Sequence, residues 1–114
     1  MNKLIREAIN KTNSMKVYFH SVNFAADVKL LDFAQKKIDK LDVFYDNVIN
    51  GDVYFKIDSS SNNDNKLVEI MLRVPGKELV VKKYSNSFEA AVHQSIDALS
   101  RALLKYKAKL NSLL

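Results

Sequence analysis

Apolar positions change period along the chain, and the changes divide it into six elements. KVYFHSV after Met15 alternates, with Val17 and Phe19 on one face and Tyr18 and His20 on the other, as a half-buried strand does. Asn23 to Ala26 turns the chain, and Asp27 stands where its carboxylate can accept from the free N–H groups of a following helix. Leu30, Phe33, Ala34, Ile38, Leu41 and Tyr45 recur at spacings of three and four, which predicts a helix from there to about Tyr45. Alternation returns in VYFKID, from Val53 to Asp58, and in KLVEIMLRV, from Lys66 to Val74. Pro75-Gly76 suits a tight reversal into a fourth strand, where Leu79 and Val81 face inward while Val80, Lys82 and Tyr84 face outward. From Ser87 to Leu110 the spacing is helical again, with Phe88, Val92, Ile96, Leu99, Leu103, Tyr106 and Leu110 on one side. Asn86 or Ser87 caps this helix, and Glu89 stands at a capping-box distance from Asn86.

The predicted order is β-α-β-β-β-α, an α+β domain. Two amphipathic helices and a four-stranded sheet bury their apolar faces most simply as two layers, with both helices packed on one face of the sheet. The α-β-β-β-α part has the element order of a double-stranded-RNA-binding domain, a likeness of topology only. At 114 residues, 47% of them apolar, residues 15–114 suit a single domain. Residues 1–14, MNKLIREAINKTNS, are expected to be a flexible N-terminal extension, and the polar SSSNNDN run from Ser59 to Asn65 a mobile loop.

Composition removes several classes of function. No apolar run approaches the roughly 20 residues needed to cross a bilayer, so a soluble protein with no membrane partner is expected. The absence of cysteine excludes disulfides, thiolate catalysis and cysteine metal sites, and it suits the cytoplasm. His20 and His93 are far apart and have no ligand or nucleophile at a helical or strand spacing, while Gly51 and Gly76 stand alone. No enzyme activity, metal, cofactor or small-molecule substrate is therefore expected.

Charge carries more. The net charge is +5, from 18 Lys and Arg against 13 Asp and Glu, and it is unevenly spread. On the terminal helix Arg101, Lys105 and Lys109 recur every four residues, with no acid after Asp97. Taken alone, that ridge is read most simply as a solvated face whose cations offset the helix dipole. A second row on the first helix, Lys29, Lys36 and Lys40, changes the reading. Side by side, the two helices join their ridges into one surface, which Lys82 or Lys83 would extend at the sheet edge. Such a surface suits RNA recognised by shape and phosphate. Lys37 lies at the rim of the first helix's apolar face, with Asp32, Asp39, Asp42 and Asp46 gathered on the other side. Tyr18, Tyr54 and Tyr84 on the open sheet face offer rings on which bases could stack, although exposed tyrosines are common on wet strand faces.

Together MKVYFHSVNF, LLDFAQKKIDKLDVFYD, KLVEIMLRVPG and SFEAAVHQSIDALSRALLKYKAK resemble the ribosome hibernation-promoting factors, also called ribosome-associated inhibitors or sigma-54 modulation proteins, across Met15 to Leu110. The resemblance implies a domain that docks on the small ribosomal subunit and its rRNA, in the channel for mRNA and the tRNA anticodon ends. It implies inhibition of translation in stationary phase or starvation, by occlusion and without catalysis, and a monomer off the ribosome. The family's basic positions fall on Lys29, Lys37 and Lys40 of the first helix and on Arg101, Lys105, Lys107 and Lys109 of the last. With its end at Leu114 the chain resembles the short form. Two departures are an acidic later part of the first helix and His93 where many relatives carry an acid. General binding of double-stranded RNA is the alternative that the element order leaves open.

Overall fold

Residues 15–59 and 63–113 are described by the structure, a computed structural model. The expected N-terminal extension and the centre of the polar loop lie outside them. Strand β1 (Val17–Val22) is followed by helix α1 (Val28–Asp39), a 3-10 turn (Lys40–Val43), strands β2 (Asn50–Ile57), β3 (Lys66–Val74) and β4 (Lys77–Ser85), and helix α2 (Phe88–Ser112). The sheet order is β1-β2-β3-β4, with β1 parallel to β2 and the other pairs antiparallel. The α+β order read from the sequence is the observed one.

Register explains which residues form the core. Phe19, Val53, Ile70 and Val81 lie in one row across the four strands, and Val17, Gly51, Leu72 and Leu79 in another. Both rows face the helices, and Val53, Phe55, Val68, Ile70 and Leu72 are fully buried there. The helices contribute Leu30, Ala34 and Ile38 from α1 and Ala91, Val92, Leu99 and Leu103 from α2. Phe55 sits between Phe19, stacked at 6.1 Å, and Phe88, edge-on at 5.6 Å, so one ring joins sheet to helix. Gly51 is the close-contact point of the sheet. A Cβ there would lie 2.8 Å from Leu72 Cδ2 and 2.9 Å from the Met71 carbonyl oxygen.

Local chemistry sets the element ends. Asp27 caps α1 by accepting from Leu30 N–H at 2.9 Å, and Ser87 caps α2 by accepting from Ala90 N–H at 3.1 Å. The cap is thus Ser87, and Glu89 falls too early for a capping box. Asn23, at φ 70°, and Gly76, at φ 78°, supply the left-handed backbone of the turn after β1 and of the β3–β4 hairpin. The first helix ends earlier than its apolar spacing suggests. At Lys40 the chain tightens to 3-10 geometry, which keeps Leu41 buried and swings Tyr45 toward α2.

The two helices lie in contact and run parallel. Phe24, just ahead of α1, stacks on Phe88 at the start of α2 with centroids 4.8 Å apart, and Tyr45, past the end of α1, meets Tyr106 edge-on at 5.3 Å. Start meets start and end meets end. Tyr106 also donates its hydroxyl to the Pro75 carbonyl at 2.6 Å, which ties α2 to the β3–β4 hairpin. Among the described residues no helix is long and apolar enough to cross a membrane.

Candidate nucleic-acid interface

Burying one stripe of each helix obliges the remaining faces to look away from the sheet, and most of the candidate cations lie there. Lys29, Lys36 and Lys40 are exposed, on the side of α1 and its 3-10 extension opposite Leu30, Ala34 and Ile38. On α2, Arg101, Lys105, Lys107 and Lys109 are all exposed. Because the helices are neighbours, both groups occupy the outer surface of one layer. Lys107 stands two residues from Lys105 and from Lys109, about 200° around the helix, so it points to the other flank of the buried stripe. Lys37 is half-buried, with its ammonium 5.5 Å from the Phe33 ring centroid. Phe33, Lys36, Lys37, Asp39 and Lys40 frame a shallow open depression on this surface.

Two details alter the charge picture drawn from spacing. Arg101 is not a free cation: its guanidinium donates to Asp97 at 2.5 Å, with both side chains about two-thirds exposed (67% and 64%). Asp39, by contrast, is partly spent within the fold, since its Oδ1 accepts from Met15 N–H at 3.0 Å and from Gln35 Nε2 at 2.9 Å. One acid of the α1 flank is thereby turned to holding the start of the domain, and Gln35 also donates to the Met15 carbonyl.

Lys82 and Lys83 part company. Lys83 is in register with buried Val68 and lies half-buried on the helix side of edge strand β4. Lys82 is in register with Glu69 on the opposite face and sits 5.8 Å from the Tyr84 ring. Lys82 therefore cannot extend the helical surface, which corrects the expectation that either lysine would do so.

On that open face lies a cluster that sequence spacing did not reveal. His20 Nε2 is 2.8 Å from Asp52 Oδ1, Arg73 reaches Asp52 Oδ2 at 2.6 Å, and Arg73 also donates to Asn50 at 2.9 Å. His20 stacks on Tyr54 with centroids 4.4 Å apart. The hydrogen bond with His20, and after it the Arg73 guanidinium, hold the Asp52 carboxyl below its ordinary pKa against the desolvation of partial burial. His20, which has no ligand at a helical or strand spacing, thus finds one on the neighbouring strand. Its partner comes from the parallel β1–β2 register, a relation no sequence spacing expresses. The arrangement ties three strands together: each Asp52 carboxylate oxygen is engaged by one partner, His20 or Arg73, and no nucleophile forms part of the cluster. Among the described residues no group of three or more metal-ligating side chains is placed to hold an ion.

The family model of the sigma 54 modulation protein / S30EA ribosomal protein matches residues 17–111. A ribosome hibernation promoting factor from Pseudomonas putida is 31% identical over 85 residues, which make up 75% of this chain and 79% of that protein. A ribosomal subunit interface protein from Coxiella burnetii superposes with a TM-score of 0.73 at 21% identity, covering 82% of this chain and 99% of that one. The N-terminal domain of Thermus thermophilus Protein Y gives 0.70 at 20% identity, covering 81% and 99%. These two likenesses establish the fold.

Proposed function

Because the chain belongs to the sigma 54 modulation protein / S30EA ribosomal protein family, we propose that it is a ribosome hibernation factor whose helical layer docks on the RNA of the small ribosomal subunit. The observation that carries this reading is the pairing of two parallel helices whose outer faces together present Lys29, Lys36, Lys40, Lys105 and Lys109. Lysines on separate turns of rigid neighbouring helices match phosphates along a folded RNA surface, and each neutralised phosphate releases counterions. Lys37, Lys83 and Lys107 stand at the margins of this surface, and Arg101 joins it once Asp97 lets go.

Docked in the channel used by mRNA and the tRNA anticodon ends, the domain excludes both by occupying their space, and translation stops with no bond made or broken. The protein acts in the cytoplasm, where ribosomes are, as a monomer before it docks. Sedimentation of lysates across growth phases tests this. Recovery with small subunits and ribosomes in stationary phase is expected, and recovery only with free protein at low salt in that phase would overturn it.

A second reading, general binding of double-stranded RNA, draws on the antiparallel β2-β3-β4 sheet with two parallel helices on one face. Equal affinity for a plain RNA duplex and for small subunits would support it, and a strong subunit preference would exclude it.

A further inference from the structure

The helical surface leaves the other side of the sheet unassigned, and register places an ordered set of rings there. Tyr18 on β1 is level with Asp52 of β2, Tyr54 lies two residues farther along β2, and Tyr84 on β4 is level, through Leu67, with Lys56, two residues farther still. The three tyrosines therefore form a diagonal from one edge of the sheet to the other. With about 3.3 Å per residue and about 4.8 Å between strands, it spans about 20 Å. Tyr18 and Tyr84 are 44% and 42% exposed, and Tyr54 stands against the half-exposed His20 ring.

Each outer ring carries its own cation. Lys16 Nζ lies 5.6 Å from the Tyr18 centroid and Lys82 Nζ 5.8 Å from that of Tyr84. Cations held this way at a surface are held weakly and can turn to a phosphate while the ring takes a base. Two acids of this face are drawn to partners on it, and a third lies beside a lysine. Asp52 is engaged by His20 and Arg73, Glu78 lies 3.6 Å from Arg73, and Glu69 is level with Lys82. Lys56, exposed and level with Tyr84, adds a cation in the path.

We propose that this open face is a second RNA contact, independent of the helical one, which takes a short single-stranded segment along the Tyr18–Tyr54–Tyr84 diagonal. Bases stack on the rings, and Lys16, Lys56 and Lys82 meet the phosphates. A single strand fits where a duplex does not, because the bases of a duplex are already stacked on each other and cannot reach flat rings. Recognition is of stacking and backbone, so little base preference is expected.

The chain has no tryptophan, and three of its five tyrosines lie on this face, so intrinsic tyrosine emission reports directly on it. The full chain titrated with a short unstructured oligouridylate at moderate salt is expected to show saturable quenching. Tyr18→Ala with Tyr84→Ala should weaken binding by roughly tenfold or more. Tyr18→Phe with Tyr84→Phe should retain it, the affinity of both tyrosine variants being read by anisotropy of a labelled oligouridylate because they lack two reporter rings, and Lys105→Glu with Lys109→Glu on α2 should leave the quenching in place. Both outer rings are partly exposed, so thermal melting of the tyrosine variants should stay close to that of the parent. Absence of quenching at saturating oligonucleotide, or equal affinity of the alanine variant and the parent, overturns the proposal. The latter is also the result expected of a face that serves a protein partner. Ribosome sedimentation by the Lys105→Glu, Lys109→Glu variant reads the helical surface separately, so the two faces can fail independently.

Discussion

Replacing Lys105 and Lys109 together by alanine tests whether the outer face of α2 contacts phosphates, and the structure sets the size of the effect. Both lysines are exposed on the same flank of α2, clear of its buried stripe, so the double variant removes two charges without opening a cavity. Loss of favourable dipole contacts near the helix end limits the cost in stability to about 1 kcal/mol. If each lysine neutralises one phosphate, the slope of log affinity against log salt falls by about 0.7–0.9 per contact, or about 1.4–1.8 for the pair. Over a fourfold rise in salt, from about 50 to 200 mM, the parent should therefore lose about seven- to twelvefold more affinity than the variant. The assay is binding to purified small subunits, by pelleting or fluorescence anisotropy of labelled protein, at several salt concentrations. A variant that binds more weakly but keeps the parent's slope would refute the phosphate assignment, as would one that binds with unchanged affinity.

Three further predictions follow from particular contacts. Asp97→Asn should free Arg101, raise affinity for small subunits and steepen the salt slope by up to about 0.9, read in the same titration. Gly51→Ala should lower stability by about 1–3 kcal/mol in urea denaturation, because the new methyl meets the Met71 backbone carbonyl, which cannot turn aside as a side chain would. Asp52 has a folded-state pKa below its ordinary 3.8, so its stabilising contribution is fully present above that value and is lost as pH falls through the folded-state pKa. Thermal melting of the parent and of Asp52→Asn should accordingly show a stability gap at neutral pH that closes below about pH 3.8, and a gap unchanged by acid would refute the assignment.

The sequence made the strands and helices legible wherever one face of an element is buried, because burial imposes a period. KLVEIMLRV matches β3 residue for residue for that reason: it is a central strand with one face in the core. Asn50-Gly51-Asp52 is the counterexample. The alternation read from the sequence starts only at Val53, yet these three residues begin β2, because neighbours on both sides supply their hydrogen bonds and Gly51 fits under Leu72. Tertiary pairing outweighed local preference. The early end of α1 was hidden because Leu41 and Tyr45 continue the three-and-four spacing through a tighter turn. The basic helical residues were legible as exposed positions, since the apolar stripe fixes the outer face. Whether a cation is free was not. The Arg101–Asp97 pair has a recognisable i,i+4 spacing, but the separation of Lys82 from Lys83 and the His20–Asp52–Arg73 cluster both depend on strand register.

Parallel helices have a consequence beyond bringing two ridges together. The aromatic contacts at both ends align α1 and α2 so that their electronegative carbonyl termini emerge at the same end of the layer. Two like poles side by side repel, and Lys36 and Lys37 in the last turn of α1 and Lys109 in the last turn of α2 offset them. The lysines proposed to hold RNA are therefore also the counter-charges of the fold. Replacing these lysines to abolish the proposed RNA contact would therefore also strip two neighbouring helix ends of their counter-charge, so such variants carry a cost in the free protein as well as on RNA.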